Sequence, residues 1–236
     1  MFSRKKEDAQ TDKQGNKVDS QVMEHKSSSE KQQSGSSDEK SEPKSKDNDF
    51  KILNFNKNSI PSDCEFKGRI IDGARWIDKN GENILMVTNT PVKDINKQSE
   101  EREQRLYAYN YISTQNGGYA LLWKIEDFSD SYCDVAAETF PGTMEVLDID
   151  GDGIAESAFI YKLEGRCDVS PLDIKLMMHS GSTKLVIRGN TIVHPGPGET
   201  YGGTKNFDPA FNTVSKDLKT FASRKWDDFV KTYRDN

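Results

Sequence analysis

The first 48 residues of this 236-residue chain contain no Leu, Ile, Trp, Tyr or Cys. Lys, Glu, Asp, Ser and Gln dominate this segment, and its positive and negative charges nearly balance. Such a segment buries too little apolar surface to offset the conformational entropy lost on folding. We therefore predict a disordered, charged and Ser-rich tether over residues 1–49, or a functionless extension there, and a single folded domain over residues 50–236.

Long apolar runs and a basic excess are both missing. No stretch approaches the roughly 18 consecutive apolar residues that a spanning helix needs, and the N-terminus lacks the apolar core of a secretion signal. The formal charge of −6 argues against a nucleic-acid surface, which requires a basic patch. The sequence thus predicts no transmembrane span and no nucleic-acid partner. Export remains open, because a signal or lipid anchor upstream would leave the same sequence.

Cysteine and histidine are scarce, with three residues of each. None of the cysteines has the spacing of a zinc site, and no nucleophile elbow, phosphate-binding glycine loop or H-E-x-x-H motif occurs. Cys133 and Cys167 lie on either side of the acidic motif described below. The residues alone leave open a disulfide between them or two reduced thiols.

Aromatic and β-branched residues after residue 50 predict antiparallel β-hairpins. Asn80-Gly81 suits the tight turn of the first hairpin. The strands are predicted over residues 64–71, 74–77, 83–88, 106–112, 119–125, 144–147, 156–161, 174–179 and 184–188. Residues 97–105 predict a charged surface stretch with one or two helical turns, and residues 194–203 a long mobile loop.

The C-terminal segment predicts an amphipathic helix. Asp208 is a suitable cap and Pro209 suits the first helical position. Apolar residues then recur at three- and four-residue spacing. They are Phe211, Val214, Leu218, Phe221, Ala222, Trp226, Phe229 and Tyr233. We expect this face to cover a sheet; docking to a partner is the alternative.

The motif that carries chemistry is the D-x-D-x-D-G-x-x-E run from Asp148 to Glu156. Carboxylates at its positions 1, 3, 5 and 9 and a carbonyl at position 7 offer the hard oxygen ligands that Ca²⁺ prefers, and Gly153 permits the sharp turn. The predicted ligands are Asp148, Asp150, Asp152, Ile154 and Glu156. Position 12 is Phe159 rather than the Glu of an EF-hand. We therefore predict a structural calcium loop between strands of a propeller-blade-like sheet, as in integrin-type blades; an acidic turn without an ion is the alternative.

A weaker echo of this motif occurs in the first hairpin. Asp78-Lys79-Asn80-Gly81 resembles Asp150-Gly151-Asp152-Gly153, but Trp76 stands where Asp148 would be. A plain Asn-Gly hairpin and a decayed repeat are both compatible with the pattern.

Several motifs between Pro61 and Tyr233 resemble a bacterial family whose members are labelled surface polysaccharide biosynthesis proteins. The matching segments are Trp76–Asn83, Tyr107–Tyr109, Trp123–Phe128, Cys133, Leu147–Glu156, Cys167–Pro171 and Ile187–Gly189. The resemblance implies export behind a secretion or lipoprotein signal, to the periplasm or the cell surface. It also implies a Cys133–Cys167 disulfide, with Cys64 left free. It assigns no reaction.

These features together predict a mainly β domain with a non-enzymatic, calcium-stabilised role at the cell envelope, in surface polysaccharide assembly or glycan binding. One alternative is a module that binds another envelope protein through the aromatic hairpin at residues 106–125. Another is a glycan-active hydrolase using Asp148, Asp127 or Glu126. Two carboxyl groups about 5–10 Å apart across an open groove would favour that enzyme.

Overall fold

The computed structural model describes residues 50–234, so the predicted tether over residues 1–49 lies outside the described residues. In chain order the first strands are β1 (Lys51–Leu53), β2 (Arg69–Asp78), β3 (Gly81–Asn89), β4 (Lys93–Asn96), β5 (Glu101–Ser113), β6 (Tyr119–Ser131) and β7 (Ala136–Thr139). The later strands are β8 (Glu145–Leu147), β9 (Glu156–Glu164), β10 (Asp173–Ser180), β11 (Thr183–Asn190), β12 (Ile192–Val193), β13 (Tyr201–Gly202) and β14 (Lys205–Phe207). A 3-10 helix (Pro209–Asn212) and helix α1 (Lys216–Thr232) follow.

These strands form two six-stranded sheets and one two-stranded sheet within residues 50–234, and every pairing is antiparallel. In the first sheet β5 pairs with β6 on one side and with β3 and β4 on the other. In the second sheet β9 pairs with β10 on one side and with β7 and β8 on the other. The predicted mainly β architecture is confirmed. Each large sheet has two strands more than the four of a propeller blade.

The two large sheets pack face to face. Leu85 and Val87 of β3 join the apolar cluster between the sheets, whereas Ile84 and Met86 join a second cluster on the outer face of the first sheet. Side chains alternate along a strand, so a strand covered on both faces is apolar at successive positions. Cys64 belongs to the outer cluster, where it is a buried free thiol, as expected.

Helix α1 covers the other face of the second sheet, as predicted. Leu218 and Trp226 pack in one cluster with Ile174 and Leu176 of β10. The predicted start of the helix at Asp208 is wrong, because Asp208 caps only the 3-10 helix. Helix α1 begins later, at Lys216, and its N-cap is Ser215. The Ser215 hydroxyl accepts a hydrogen bond from the Leu218 amide at 3.4 Å.

The helical turns predicted for residues 97–105 are also wrong. A turn after β4 leads into β5, which begins at Glu101. Glu103 is buried there and forms ion pairs with Lys93 and Arg105. The charged residues 101–105 therefore belong to β5, whose backbone pairs there with β4 on one side and β6 on the other.

Two predicted boundaries also shift. The first strand of the first hairpin begins at Arg69 rather than at residue 64. The segment predicted as a loop over residues 194–203 contains β13, which pairs with β12. Short strand pairs of this kind give little periodic signal in sequence.

The predicted disulfide between Cys133 and Cys167 is confirmed. Their Cα atoms are 5.1 Å apart and the bond links positions separated by 34 residues. It joins the segment after β6 to the segment after β9, and so connects the two large sheets covalently. Disulfides of this kind are characteristic of proteins in oxidising compartments.

Candidate metal centre

The acidic motif forms the loop between β8 and β9, as the sequence predicts. Gly151 and Gly153 have φ angles of +72° and +88°, which residues with a Cβ adopt only at a cost. The Gly153 amide donates to Asp148 Oδ2 at 3.2 Å, and the Ile154 amide donates to Asp152 Oδ1 at 2.7 Å. The loop therefore curls back toward its own first carboxylate.

Three carboxylates converge inside this loop. Asp148, Asp150 and Glu156 each present an oxygen, and these oxygens lie within 4.8 Å of one another. Carboxylates held this close repel each other unless protons or a cation neutralise them. The arrangement therefore suits a divalent cation.

Glu156 supplies a second and independent sign of a ligand site. Its residue is only 1% exposed, and its Oε2 accepts a hydrogen bond from the Ile149 amide at 2.9 Å. Its other oxygen, Oε1, is buried and makes no hydrogen bond of ordinary length and angle, although the Ser180 side chain interacts with this carboxylate and lowers its pKa. A buried carboxylate oxygen of this kind is costly unless a positive charge compensates it.

The pKa of Glu156 reflects the same environment. Burial raises this pKa to about 7, and the charges of Asp150 and Asp152 act in the same direction. A bound cation would reverse the balance by favouring the ionised form. The residues present thus fit a metal ion, with Asp148, Asp150 and Glu156 as the side chains that would hold it.

Of the other two predicted ligands, Asp152 is not among the converging carboxylates, and Ile154 would contribute its backbone carbonyl rather than a side chain. Asp152 accepts from the amide of Ile154 two residues ahead, which is a local turn interaction. Ile154 lines a small cavity toward the first sheet. The loop thus forms where the sequence predicts it, and three of its four predicted carboxylate ligands converge.

The loop is attached to the hairpin between β2 and β3. The Lys79 amide donates to the Gly153 carbonyl at 2.8 Å, and the Ala155 amide donates to Asp78 Oδ2 at 3.3 Å. Asp78 also accepts from Trp76 Nε1 at 2.9 Å and from the Asn80 amide at 2.9 Å. The segment that echoes the acidic motif thus serves as its anchor on the first sheet.

A buried polar row continues from this anchor into the space between the sheets. Asn83 Nδ2 donates to Asp78 Oδ2 at 3.2 Å, and Asn110 Nδ2 donates to Asn83 Oδ1 at 3.0 Å. A cavity of about 10 Å³, comparable to the space of one water, lies beside it. Nothing in the spacing of these residues reveals the row, because its members come from three strands.

His179 lies at the end of this row and stacks on Trp123, with ring centroids 3.7 Å apart and an interplanar angle of 6°. Its Nδ1 is buried without a hydrogen-bond partner. Burial, together with the nearby charge of Lys184, lowers the pKa of His179 to about 3. The ring is therefore neutral.

The candidate acids of the hydrolase alternative are not paired with each other. Glu126 and Asp127 are successive residues of β6 and point to opposite faces of the sheet. Glu126 forms ion pairs with Lys124 and Arg105, whose hydrogen bonds lower its pKa. A general acid requires a raised pKa instead, so Glu126 does not suit that role.

Three of the four tyrosines in the aromatic hairpin are hidden from solvent. Tyr107, Tyr109 and Tyr111 of β5 are all buried in the outer cluster of the first sheet. The Tyr111 hydroxyl donates to the Glu65 carbonyl at 2.7 Å, and the Tyr109 hydroxyl accepts from the Lys67 amide at 3.2 Å. The segment before β2 therefore covers the surface that a partner would need.

Comparison with known proteins gives no relative: no family model, no curated protein and no solved structure matches the chain. The helices within residues 50–234 include none that is both long and apolar enough to cross a membrane.

Proposed function

We propose that this protein is a non-enzymatic, calcium-stabilised module of the cell envelope. The observation that carries the proposal is the buried Glu156 carboxylate, whose Oε1 makes no hydrogen bond of ordinary length and angle beside Asp148 and Asp150. The loop lies where β8, β9 and the first hairpin meet. An ion there would hold these segments together and so stabilise the fold.

Calcium fits this loop better than other common ions. The donors are carboxylate oxygens on a flexible, glycine-containing loop, and no Cys or His lies among them. Zinc favours nitrogen and sulfur, and Mg²⁺ prefers to keep its waters in a strict octahedron. Extracellular modules bind Ca²⁺ at about 10⁻⁴–10⁻³ M, which a loop with three carboxylates can reach.

The Cys133–Cys167 disulfide supports export. Such bonds form in the periplasm or outside the cell and are rare in the cytosol. The periplasm or cell surface is the proposed location. Calcium is also more abundant outside than inside cells, so the disulfide and the proposed calcium site fit the same compartment.

The role in surface polysaccharide assembly or glycan binding rests on the motif resemblance in Trp76–Asn83 and Leu147–Glu156. Binding of another envelope protein is the second candidate, although burial of Tyr107, Tyr109 and Tyr111 removes the surface first considered for it. A glycan array with the calcium-loaded protein separates the two, because a protein-binding module would leave the array empty.

Chemical unfolding with calcium, with magnesium and with EDTA tests the metal site. Calcium should raise the free energy of unfolding by about 2.7 kcal/mol at 100 times its Kd, with a smaller effect of magnesium. Equal midpoints in calcium and EDTA would overturn the proposal.

The variant Glu156→Gln sharpens this test. Its neutral amide removes the cost of a buried charge, so in EDTA it should be at least as stable as the wild type. Calcium should no longer stabilise it. Glu65→Gln, at an exposed position outside the loop, is the matched control and should keep the full calcium effect.

A further inference from the structure

A cleft between the two large sheets is lined by no residue of the acidic loop. Edge strand β6 of the first sheet forms one wall, and β9, β10 and β11 of the second sheet form the other. The cleft has a volume of about 200 Å³. That is somewhat below the roughly 300–1,000 Å³ of pockets for drug-sized ligands, so it suits a smaller molecule.

The floor of the cleft is apolar and its walls are charged. Ile125, Met177 and Val186 form the floor and belong to the core between the sheets. The charged residues of the lining are four basic and two acidic ones: Lys124, Lys175, Lys184, Arg188, Glu126 and Asp127. In a chain with a formal charge of −6, this cleft carries a positive excess.

The excess is concentrated on β11. Lys124 forms an ion pair with Glu126, and Lys175 forms one with Asp127. Arg188 reaches Asp208 only in an exposed pair at 3.2 Å. Lys184 has no ion-pair partner among residues 50–234. Since side chains alternate along a strand, Lys184, Val186 and Arg188 face the same side, and two cations stand above an apolar floor.

Asp127 and Tyr161 make the inner wall rigid. The Tyr161 hydroxyl donates to Asp127 Oδ2 at 2.9 Å, and Lys175 Nζ donates to the same oxygen. Tyr161 is only 1% exposed, and burial raises its pKa, with Asp127 acting in the same direction. Asp127 Oδ1 accepts from the Phe128 amide at 3.1 Å, which also fixes the carboxylate, and its second lone pair is the acceptor that a ligand beside the cations of β11 would use.

We propose that this cleft binds a small polar molecule that carries a carboxylate or a phosphate group. Lys184 and Arg188 bind the anionic group, because cations at the edge of an apolar cavity form charge-assisted hydrogen bonds with an anion. Asp127 accepts a hydrogen bond from a hydroxyl of the ligand. The floor formed by Met177 and Val186 contacts the carbon skeleton of the ligand. The proposal stands independently of calcium, since no residue of the acidic loop lines the cleft.

Titration followed by amide NMR tests this proposal, with D-glucuronate, glucose 1-phosphate and inorganic phosphate as probes and glucose as the neutral control. At least one anion should bind saturably in the millimolar range and shift the amide signals of β6, β10 and β11. Glucuronate alone would indicate a carboxylate ligand, glucose 1-phosphate alone a sugar phosphate, and inorganic phosphate a free anion. Glucose should bind more weakly than the anion that binds best.

The variant Lys184→Gln/Arg188→Gln should raise the Kd of that anion about tenfold or more, because it removes the charge-assisted hydrogen bonds to the anionic group. Lys57→Gln/Lys216→Gln removes the same charge at two exposed positions elsewhere and should leave the Kd unchanged. Lys184→Gln alone, which breaks no ion pair, serves if the double variant fails to fold. It should weaken binding by severalfold.

Three results would overturn the proposal: no saturable binding of any anion, equal Kd values for wild type and cleft variants, or glucose binding as tightly as the anions. The titrations are run in EDTA and again in calcium. Loss of the calcium effect on stability with anion binding intact would reject only the metal site.

Discussion

The carboxylate of Asp78 accepts a hydrogen bond from the backbone amide of Ala155 at 3.3 Å, across 77 positions of sequence. Asp78 ends β2 in the first sheet, and Ala155 immediately precedes β9 in the second. This side chain is buried and has two further side-chain donors, Trp76 and Asn83. The acidic loop is thereby attached to the first sheet by protein groups as well as by any ion that it holds.

Replacing Asp78 with Ala should destabilise the protein by about 3 kcal/mol or more. The change leaves several buried donors without their acceptor, and each unsatisfied group costs about 1–3 kcal/mol. Urea unfolding in EDTA measures this effect without a contribution from calcium. Asp94→Ala, in the exposed strand β4, is the control and should change stability by less than about 0.5 kcal/mol. Similar losses in both variants would show that Asp78 is not an anchor.

Most of the sheet architecture could be predicted from local sequence. The Asn80-Gly81 turn, the aromatic and β-branched content around Tyr109 and the hairpin strands at residues 174–188 each express a pattern contained within a few positions. The acidic loop could be identified for the same reason, because its spacing from Asp148 to Glu156 encodes its curvature. Local signals of this kind survive into the folded protein when tertiary contacts agree with them.

The features that escaped prediction depend on residues distant in sequence. Glu101 to Arg105 form a strand because β4 and β6 supply backbone partners, although their charges indicate an exposed helix. The anchor at Asp78 and the cation pair at Lys184 and Arg188 appear only when two sheets come together. Asp208 also suits an α-helix and a 3-10 turn equally well, so the cap alone does not decide where α1 begins.

Removal of the disulfide with Cys133→Ser/Cys167→Ser should lower the free energy of unfolding by about 3–4 kcal/mol. The bond restricts a loop with a sequence separation of 34 residues in the unfolded chain, and longer loops gain more from such a restriction. Dithiothreitol should lower the urea midpoint of the wild type and leave that of the double variant unchanged. Cys64→Ala is the control, because it retains the disulfide and should respond to dithiothreitol like the wild type. A response of the double variant to the reductant would contradict this assignment.

His179 should make stability fall as the pH drops below about 6.5. Its pKa is about 3 in the folded protein but about 6.5 when unfolded, so between these values the unfolded chain binds a proton that the folded chain excludes. This contributes a loss of up to about 1.4 kcal/mol for each pH unit of acidification. His179→Gln should reduce the slope of unfolding free energy between about pH 6.5 and pH 5. His194→Gln, at an exposed histidine, should keep the wild-type slope, and an unchanged slope in His179→Gln would refute the prediction.

Gly189 of β11 should tolerate no side chain, because β14 and helix α1 approach it closely. A Cβ at this position would lie 1.8 Å from the Thr204 carbonyl oxygen and 2.9 Å from Trp226 Cζ2. The oxygen belongs to backbone, so relief requires moving β14 away from β11, with loss of the pairing at Gly189. We expect Gly189→Ala to lower the free energy of unfolding by about 3 kcal/mol or more, as overpacking at rigid sites does.

Gly196→Ala is the control, since its Cβ would meet only the flexible Glu199 carboxylate at 3.3 Å. The urea midpoint of this variant should stay near that of the wild type. Equal midpoints for the two variants would mean that the C-terminal segment does not pack on β11 as closely as described.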